Sequence, residues 1–309
     1  MNFMELKYKN IKEILISIFV GFSIGLSVIV PGISGSSIAI ILKVYDKLMY
    51  AFSNVFKKFK SCVIFLLPIV LGIIIGFGLG FVLVKLLLEV FPFITICFFV
   101  GLMVGTYPIL FEEIKGEKPK IKKSALFILG IIVPIAITLI SMQINANNSL
   151  TEINAYHYVL FLIIGVLISL TQIIPGLSAT VLLMIFGYYT ALINGISREL
   201  FSSPKLILVY VMLAVGFVIG ILLFSKIINK MLLSFRKQFF FLICGLSIGS
   251  IISVFSGSEC LEIYRNWNNS NIALDVTLGI VALMMGFAIT FLIYFLNKKR
   301  QIRCKKNNN

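Results

Sequence analysis

Pro31-Gly32-Ile33-Ser34-Gly35-Ser36-Ser37 cuts one uncharged apolar stretch of the chain, and Pro175-Gly176-Leu177-Ser178-Ala179-Thr180 cuts a second. Proline has no backbone N–H and suits only the first turn of a helix, so each segment ends one helical run and opens another. The two segments stand 144 residues apart, and the same shift superposes much more than these breaks. Gly21 falls on Gly165, Tyr45 on Tyr189, Gly72 and Gly76 on Gly216 and Gly220, and Gly101 and Gly105 on Gly245 and Gly249. No gap is needed between Gly21 and Gly105. Coincident leucines would mean little in so apolar a chain, whereas glycine and proline are a minority, and their joint coincidence marks an internal duplication.

Working outward from the breaks, the rest of the chain is suited to lipid. Of 309 residues 60% are hydrophobic and 13% charged, and the mean hydropathy is +1.07. A soluble domain has no core large enough to hide that surface. A bilayer core about 30 Å thick takes roughly 20 apolar residues per helical crossing. Runs fit for this occupy residues 11–30, 31–54, 61–88, 92–111 and 124–143, then 158–174, 175–197, 204–227, 239–255 and 275–296. The basic start (Lys7, Lys9, Lys12) resembles a signal peptide, but no small-x-small cleavage site follows, and a retained first helix is expected. The expected organisation is a first repeat over 1–143, an outer connecting loop over 144–157, a second repeat over 158–297 and a basic tail over 298–309.

The net charge of +15 is carried by short loops and the tail rather than by a folded basic domain, which argues for topology signals and against nucleic acid. Lysines and arginines gather in the amino terminus, around residues 57–60, 115–123 and 226–237, and in the tail; residues 144–156 carry none, and 257–274 carry only Arg265. Both termini therefore read as cytoplasmic in a multi-pass plasma-membrane protein. The first half enters from inside and leaves outside, so the second half must be upside down. The fold class expected is all-α and polytopic, with two inverted-topology repeats, each a Pro-Gly-broken helical hairpin plus about three full transmembrane helices. A re-entrant hairpin is favoured because small residues crowd the break, and irregular backbone inside a bilayer must be shielded from lipid. Five crossings per half is the alternative, and parity does not distinguish the two.

A helix start inside the membrane presents free amides and the positive end of its dipole, which bind an anion without a cationic side chain. Candidate phosphate-binding residues are Gly32, Ser34, Gly35, Ser36 and Ser37 in the first half, and Gly176, Ser178 and Thr180 in the second. Lys43, Asp46 and Gln172 are candidates for coupling or pairing: Lys43 and Asp46 stand three residues apart on one helical face, where they pair with each other, flank a substrate path or simply snorkel, and Gln172 is a polar residue just before the second break. Lys85 and Glu89, at i and i+4 near the end of their run, are explained by snorkelling. His157, the only histidine, is expected at the interface. Cys62, Cys97, Cys244, Cys260 and Cys304 have no metal or redox spacing and read as packing thiols. Nothing here has the residues of a hydrolase or metalloenzyme, so neither catalytic residue, metal nor cofactor is expected.

At the two Pro-Gly-x-Ser segments, with Tyr45-Asp46 after the first and Gly187-Tyr188-Tyr189 after the second, the sequence resembles the bacterial polyprenyl-phosphate (undecaprenyl-phosphate) transporter family over nearly its whole length. That resemblance implies a flippase that returns undecaprenyl phosphate, the lipid carrier of cell-wall polymers, from the outer to the inner leaflet. The partner implied is a polyprenyl-phosphate lipid in the membrane. The chain departs from the family pattern at Val28, where an acid is usual, at Gly35-Ser36-Ser37, where Gly-Gly-Thr is usual, and at Lys43, where glycine is usual. Asp46 matches an acid common after the tyrosine. A transporter or channel for a small soluble anion is the alternative in the same physics, and a non-transporting membrane scaffold is the alternative from another class. Oligomeric state, coupling ion and exact lipid are left open.

Overall fold

The computed structural model describes residues 6–29, 35–117, 120–143, 148, 150, 153–174, 177, 179–189, 191–192, 195, 203–265, 267 and 272–307. Every regular element among them is helical: α1 Ile11–Ile29, α2 Gly35–Ile41, α3 Tyr45–Ser53, α4 Phe59–Val90, α5 Pro92–Val104, α6 Tyr107–Ile114, α7 Ile121–Gln143, α8 Ala155–Ile173, α9 Ala179–Ile185, α10 Pro204–Ser234, α11 Arg236–Ser256, α12 Ser258–Arg265 and α13 Ile272–Asn307. Among the described residues, eight stretches are long and apolar enough to cross a membrane, namely α1, most of α4, α5 with α6, α7, α8, α10, α11 with α12, and α13 as far as Leu296. Large apolar side chains such as Ile74, Val82, Leu129, Val218 and Leu292 stand on the outside of the bundle, as they must where lipid is the solvent. The chain is a multi-pass membrane protein.

Helix bounds recur at the spacing of the duplication: α1 shifted by 144 residues is α8, and α2 so shifted is α9. Packing recurs with them. α1 lies on α4 and α8 on α10, whereas α5 lies on α13 and α7 on α11, so each half lends its last long helix to the other. Glycines set these contacts. A Cβ on Gly21 would stand 2.0 Å from the Ile69 carbonyl oxygen and one on Gly72 would stand 2.1 Å from that of Ile18; on Gly165 and Gly216 it would meet Leu213 and Leu162 at 2.2 and 2.0 Å. The Gly-x-x-x-Gly pairs are packing devices that let backbones touch.

The same contacts give the register. Ile18 meets Gly72, Phe22 meets Gly76 and Gly25 meets Ile73, so α1 and α4 run parallel and the end of α1 at Ile29 falls beside Gly80. α4 then continues to Val90, about 15 Å further at 1.5 Å per residue. In the second half α8 ends a comparable distance short of the end of α10.

Three expectations about helix bounds are corrected. The run 31–54 is not one helix: α2 and α3, of seven and nine residues, are separated by a left-handed turn at Lys43 (φ 58°). Lys43 N–H donates to Ile40 and Val44 N–H to Ala39; in the second half Gly187 (φ 75°) and Tyr188 repeat these bonds to Met184 and Leu183. This is the Schellman ending of a helix, which favours glycine at the left-handed position. Lys43→Gly is expected to relieve about 1 kcal/mol of backbone strain, read as a higher Tm in detergent. Second, the run 92–111 breaks at Gly105–Thr106, because Pro108 on α6 cannot donate a helical hydrogen bond and its ring crowds the turn before it; the shifted position holds Ile252, and α11 runs through unbroken. Third, the basic tail continues the last crossing as helix to Asn307.

His157, expected at the interface, is buried, with 4% of its surface exposed. Its Nδ1 accepts the Asn154 N–H at the start of α8, which makes it half of a capping box. Cys62, Cys97, Cys244 and Cys260 are buried.

Candidate functional site

Pro31, Gly32, Ser34, Pro175, Gly176 and Ser178 lie outside the described residues, as do the side chains of Thr180, Lys85 and Glu89. What is described is the frame on either side of the breaks. Gly35 opens α2, with Ser36 and Ser37 buried in its first turn, and the backbone of Thr180 lies in the first turn of α9. These two short helices start where their halves are interrupted.

The first break is met by the second half. The Gly35 N–H donates to Gln172 Oε1 at 3.4 Å, and Tyr45 Oη donates to the Ile173 carbonyl at 2.9 Å from a fully enclosed position, 3% exposed. Gln172 and Ile173 are the last residues of α8 before its own break, so the two interruptions are brought side by side. A Cβ on Gly35 would meet Ile24 at 2.9 Å and both Gln172 and Val28 at 3.6 Å; the absence of a side chain there is what lets Gln172 reach the backbone. Gln172 thus supplies a neutral amide at the junction.

Lys43 and Asp46 do not share a continuous helical face. Lys43 occupies the left-handed turn before α3 and stands near Glu112. The Asp46 carboxylate accepts Arg236 Nη1 at 2.7 Å, and the same guanidinium donates through Nε and Nη2 to Glu113 at 2.8 and 3.0 Å. Beside this cluster Lys298 donates to Tyr294 at 2.9 Å, and Tyr294 Oη donates to Glu112 at 2.7 Å. These bonds hold the Lys298 ammonium above its usual pKa range, the Tyr294 bond contributing most. A little further along, Lys123 donates to Glu117 and holds that carboxyl below the ordinary carboxylate range, and Lys237 donates to the Lys115 carbonyl. The basic segments around 57–60, 115–123, 226–237 and 298 therefore come together at one end of the bundle, where Lys226 also lies over Phe56 and Lys58 over Tyr50.

Arg236, Glu113 and the Tyr45–Ile173 bond are absent from the residues expected from sequence. Arg236 was legible only as one more positive charge in a loop, and a backbone acceptor such as the Ile173 carbonyl has no residue-type signature.

A bundle of long apolar helices in which the starts of α2 and α3 are bonded to the end of α8 fits the build of a membrane transporter. The comparisons with known proteins agree. The family model described as undecaprenyl phosphate translocase-like matches residues 24–272, and the chain belongs to that family, one of transporters rather than enzymes. It is 32% identical over 250 residues to the polyprenyl-phosphate transporter of Staphylococcus aureus, covering 78% of this chain and 86% of that one. It is 24% identical over 271 residues to the polyprenyl-phosphate transporter of Vibrio cholerae, covering 82% of each. No solved structure matches.

Proposed function

We propose that this protein carries the phosphate headgroup of polyprenyl phosphate, in the form of undecaprenyl phosphate, from the outer to the inner leaflet, so that the carrier lipid is reused for cell-envelope polymers. In this reading the two halves are inverted repeats, and each Pro-Gly segment is the tip of a re-entrant hairpin. The tips hold the phosphate between them while the prenyl tail stays in lipid through a sideways opening. The phosphate sits on the amides and hydroxyls of Gly32, Ser34, Gly35, Ser36 and Ser37 from one side and of Gly176, Ser178 and Thr180 from the other, and Gln172 donates an amide N–H. Rocking of one half against the other exposes the site to each leaflet in turn.

The observation that carries this reading is the meeting of the two interruptions through Gly35–Gln172 and Tyr45–Ile173. Further support comes from depth. α1 ends about 15 Å before α4 does, and neither α2 nor α3 is long enough to complete a crossing, so the chain returns to the face it left. That face gathers the basic segments and is taken as cytoplasmic, together with both termini. The relatives named polyprenyl-phosphate transporter give the substrate class. The amides of a helix start and the positive end of its dipole favour a phosphate without any cationic side chain.

Two outcomes separate the lipid from a soluble anion. Vesicles loaded with inorganic phosphate are expected to retain it when they carry the protein, while polyprenyl phosphate in the same vesicles exchanges between leaflets. Release of inorganic phosphate as fast as the lipid exchanges would replace the lipid reading with that of an anion channel. Gln172→Leu, which leaves the Gly35 amide without its acceptor and removes one donor to the phosphate, is expected to slow lipid exchange about tenfold, the loss of one hydrogen bond to a charged group, with the purified protein still monodisperse.

A further inference from the structure

We infer that Arg236, held by Asp46 and Glu113, is the cytoplasmic gate of the transport cycle; the inference rests on the transport reading above. The three groups belong to separate parts of the molecule: Asp46 to α3, the returning arm of the first hairpin, Glu113 to α6, and Arg236 to the first turn of α11 in the second half. Asp46 and Arg236 are 190 residues apart in the chain, and Glu113 and Arg236 are 123 apart. A second bridge, Lys298 with Tyr294 and Glu112, fastens α13 to α6 at the same end. Together the two bridges close the end of the bundle toward which the first hairpin returns. The Asp46–Arg236 bond ties α3 to the first turn of α11 at that end.

The pairs are of the right strength to switch. The side chains of Arg236, Asp46 and Glu113 are 37, 31 and 31% exposed, so they are neither a fully solvated pair of negligible worth nor a sealed one that cannot open. Arg236 also lies over the Phe240 ring, 5.1 Å from its centroid, which keeps the guanidinium in place when one partner leaves. Nor is the cluster a second phosphate site. Three carboxylates (Asp46, Glu112, Glu113) stand against Arg236, Lys298 and the nearby Lys43, so the charges of the cluster itself balance.

The network is also one-sided. Thr190, Pro92, Ser256 and Gly257 occupy the positions that the 144-residue shift relates to Asp46, Arg236, Glu112 and Glu113, so these four positions carry no charge. The opposite end is packed instead by aromatic rings, with Phe93 and Tyr264 at 4.9 and 5.2 Å from Trp267. Two otherwise similar halves are thus given unequal closures. The ionic one biases the empty protein toward facing outward, where the lipid is collected.

The test uses full-length protein in lipid vesicles, with Lys47→Cys and Lys115→Cys spin-labelled on exposed positions of α3 and the end of α6, and with Cys304→Ser; the cysteines at 62, 97, 244 and 260 are buried. One short distance between the labels is expected to dominate without substrate. Asp46→Asn, which keeps side-chain shape, and Arg236→Gln, which removes the guanidinium, should each raise the long-distance fraction about tenfold, the effect expected of about 1.4 kcal/mol, and slow lipid exchange. The charge-reversed pair Asp46→Arg with Arg236→Asp should restore both the short distance and the exchange rate, because an arginine at 46 again faces two carboxylates. Unchanged distances in both single variants, or a reversed pair as open as the single variants, would overturn the gate. The distances are read without substrate, so they decide the gate even if the native protein moved no polyprenyl phosphate, a result that would instead remove the transport reading.

Discussion

Replacing Ser34 and Ser178 together by leucine is expected to abolish headgroup translocation, a loss of about a hundredfold or more, while the protein still inserts and purifies as the native one does. Each serine is the second residue after its Pro-Gly, where a hydroxyl adds a donor beside the amides of a helix start. Hydrogen bonds to a charged group contribute about 1.5–3 kcal/mol each, and two lost together exceed a factor of one hundred. Leucine also adds bulk that shuts the phosphate out. The pair Ser34→Thr and Ser178→Thr, which keeps both hydroxyls, should retain most of the rate. Loss of transport in the threonine pair, or full transport in the leucine pair, would show that the breaks act only as structural kinks, as a membrane scaffold would use them.

Gly72→Leu is expected to destabilise the fold by about 3 kcal/mol or more. The α1 backbone stands where the new side chain must go: a Cβ at 72 would be 2.1 Å from the Ile18 carbonyl oxygen and 2.8 Å from the Phe22 nitrogen. Backbone of a packed helix cannot yield as a flexible side chain can, so α1 and α4 must separate. Gly78 lies on the same helix with nothing within 4 Å of its would-be Cβ, and Gly78→Leu should leave the detergent-extracted protein with its native Tm. Equal loss in both variants would mean that glycine serves α4 by flexibility rather than by close contact.

The duplication was legible because its markers are residues with a steric reason to be where they are. Gly21, Gly72, Gly165 and Gly216 repeat since backbones touch at those points, and Gly187 reads as a helix end since the left-handed turn wants glycine. The partner position in the first half, Lys43, adopts the same turn without the residue that announces it, and so the split of 31–54 into α2 and α3 was not foreseen. Pro108 did announce the break between α5 and α6, but inside an apolar run its position was read as continuous helix. Capping by Asn154 and His157 is a three-residue pattern that uses histidine in place of the usual acid, which is why its burial was missed.

The sequence points to the tips of the candidate site, which lie outside the described residues, and not to its braces. Pro-Gly-x-Ser is a local pattern, and helix-end physics interprets it without a partner. The bonds from Gly35 to Gln172 and from Tyr45 to Ile173 join residues 137 and 128 positions apart, and one acceptor in each pair has no charge to advertise it. Arg236 is the clearest case. In the sequence it is one more loop charge, and only folding brings it between Asp46 and Glu113.

The most direct test of the account is reconstitution of the native protein into vesicles holding polyprenyl phosphate in both leaflets, with a membrane-impermeant phosphatase added outside. Without protein, hydrolysis stops near the half of the lipid that faces outward. With protein it is expected to run toward completion, as inner headgroups are brought out to the enzyme. Hydrolysis that stays near half with the protein present, whether or not a proton gradient is imposed, would contradict headgroup translocation.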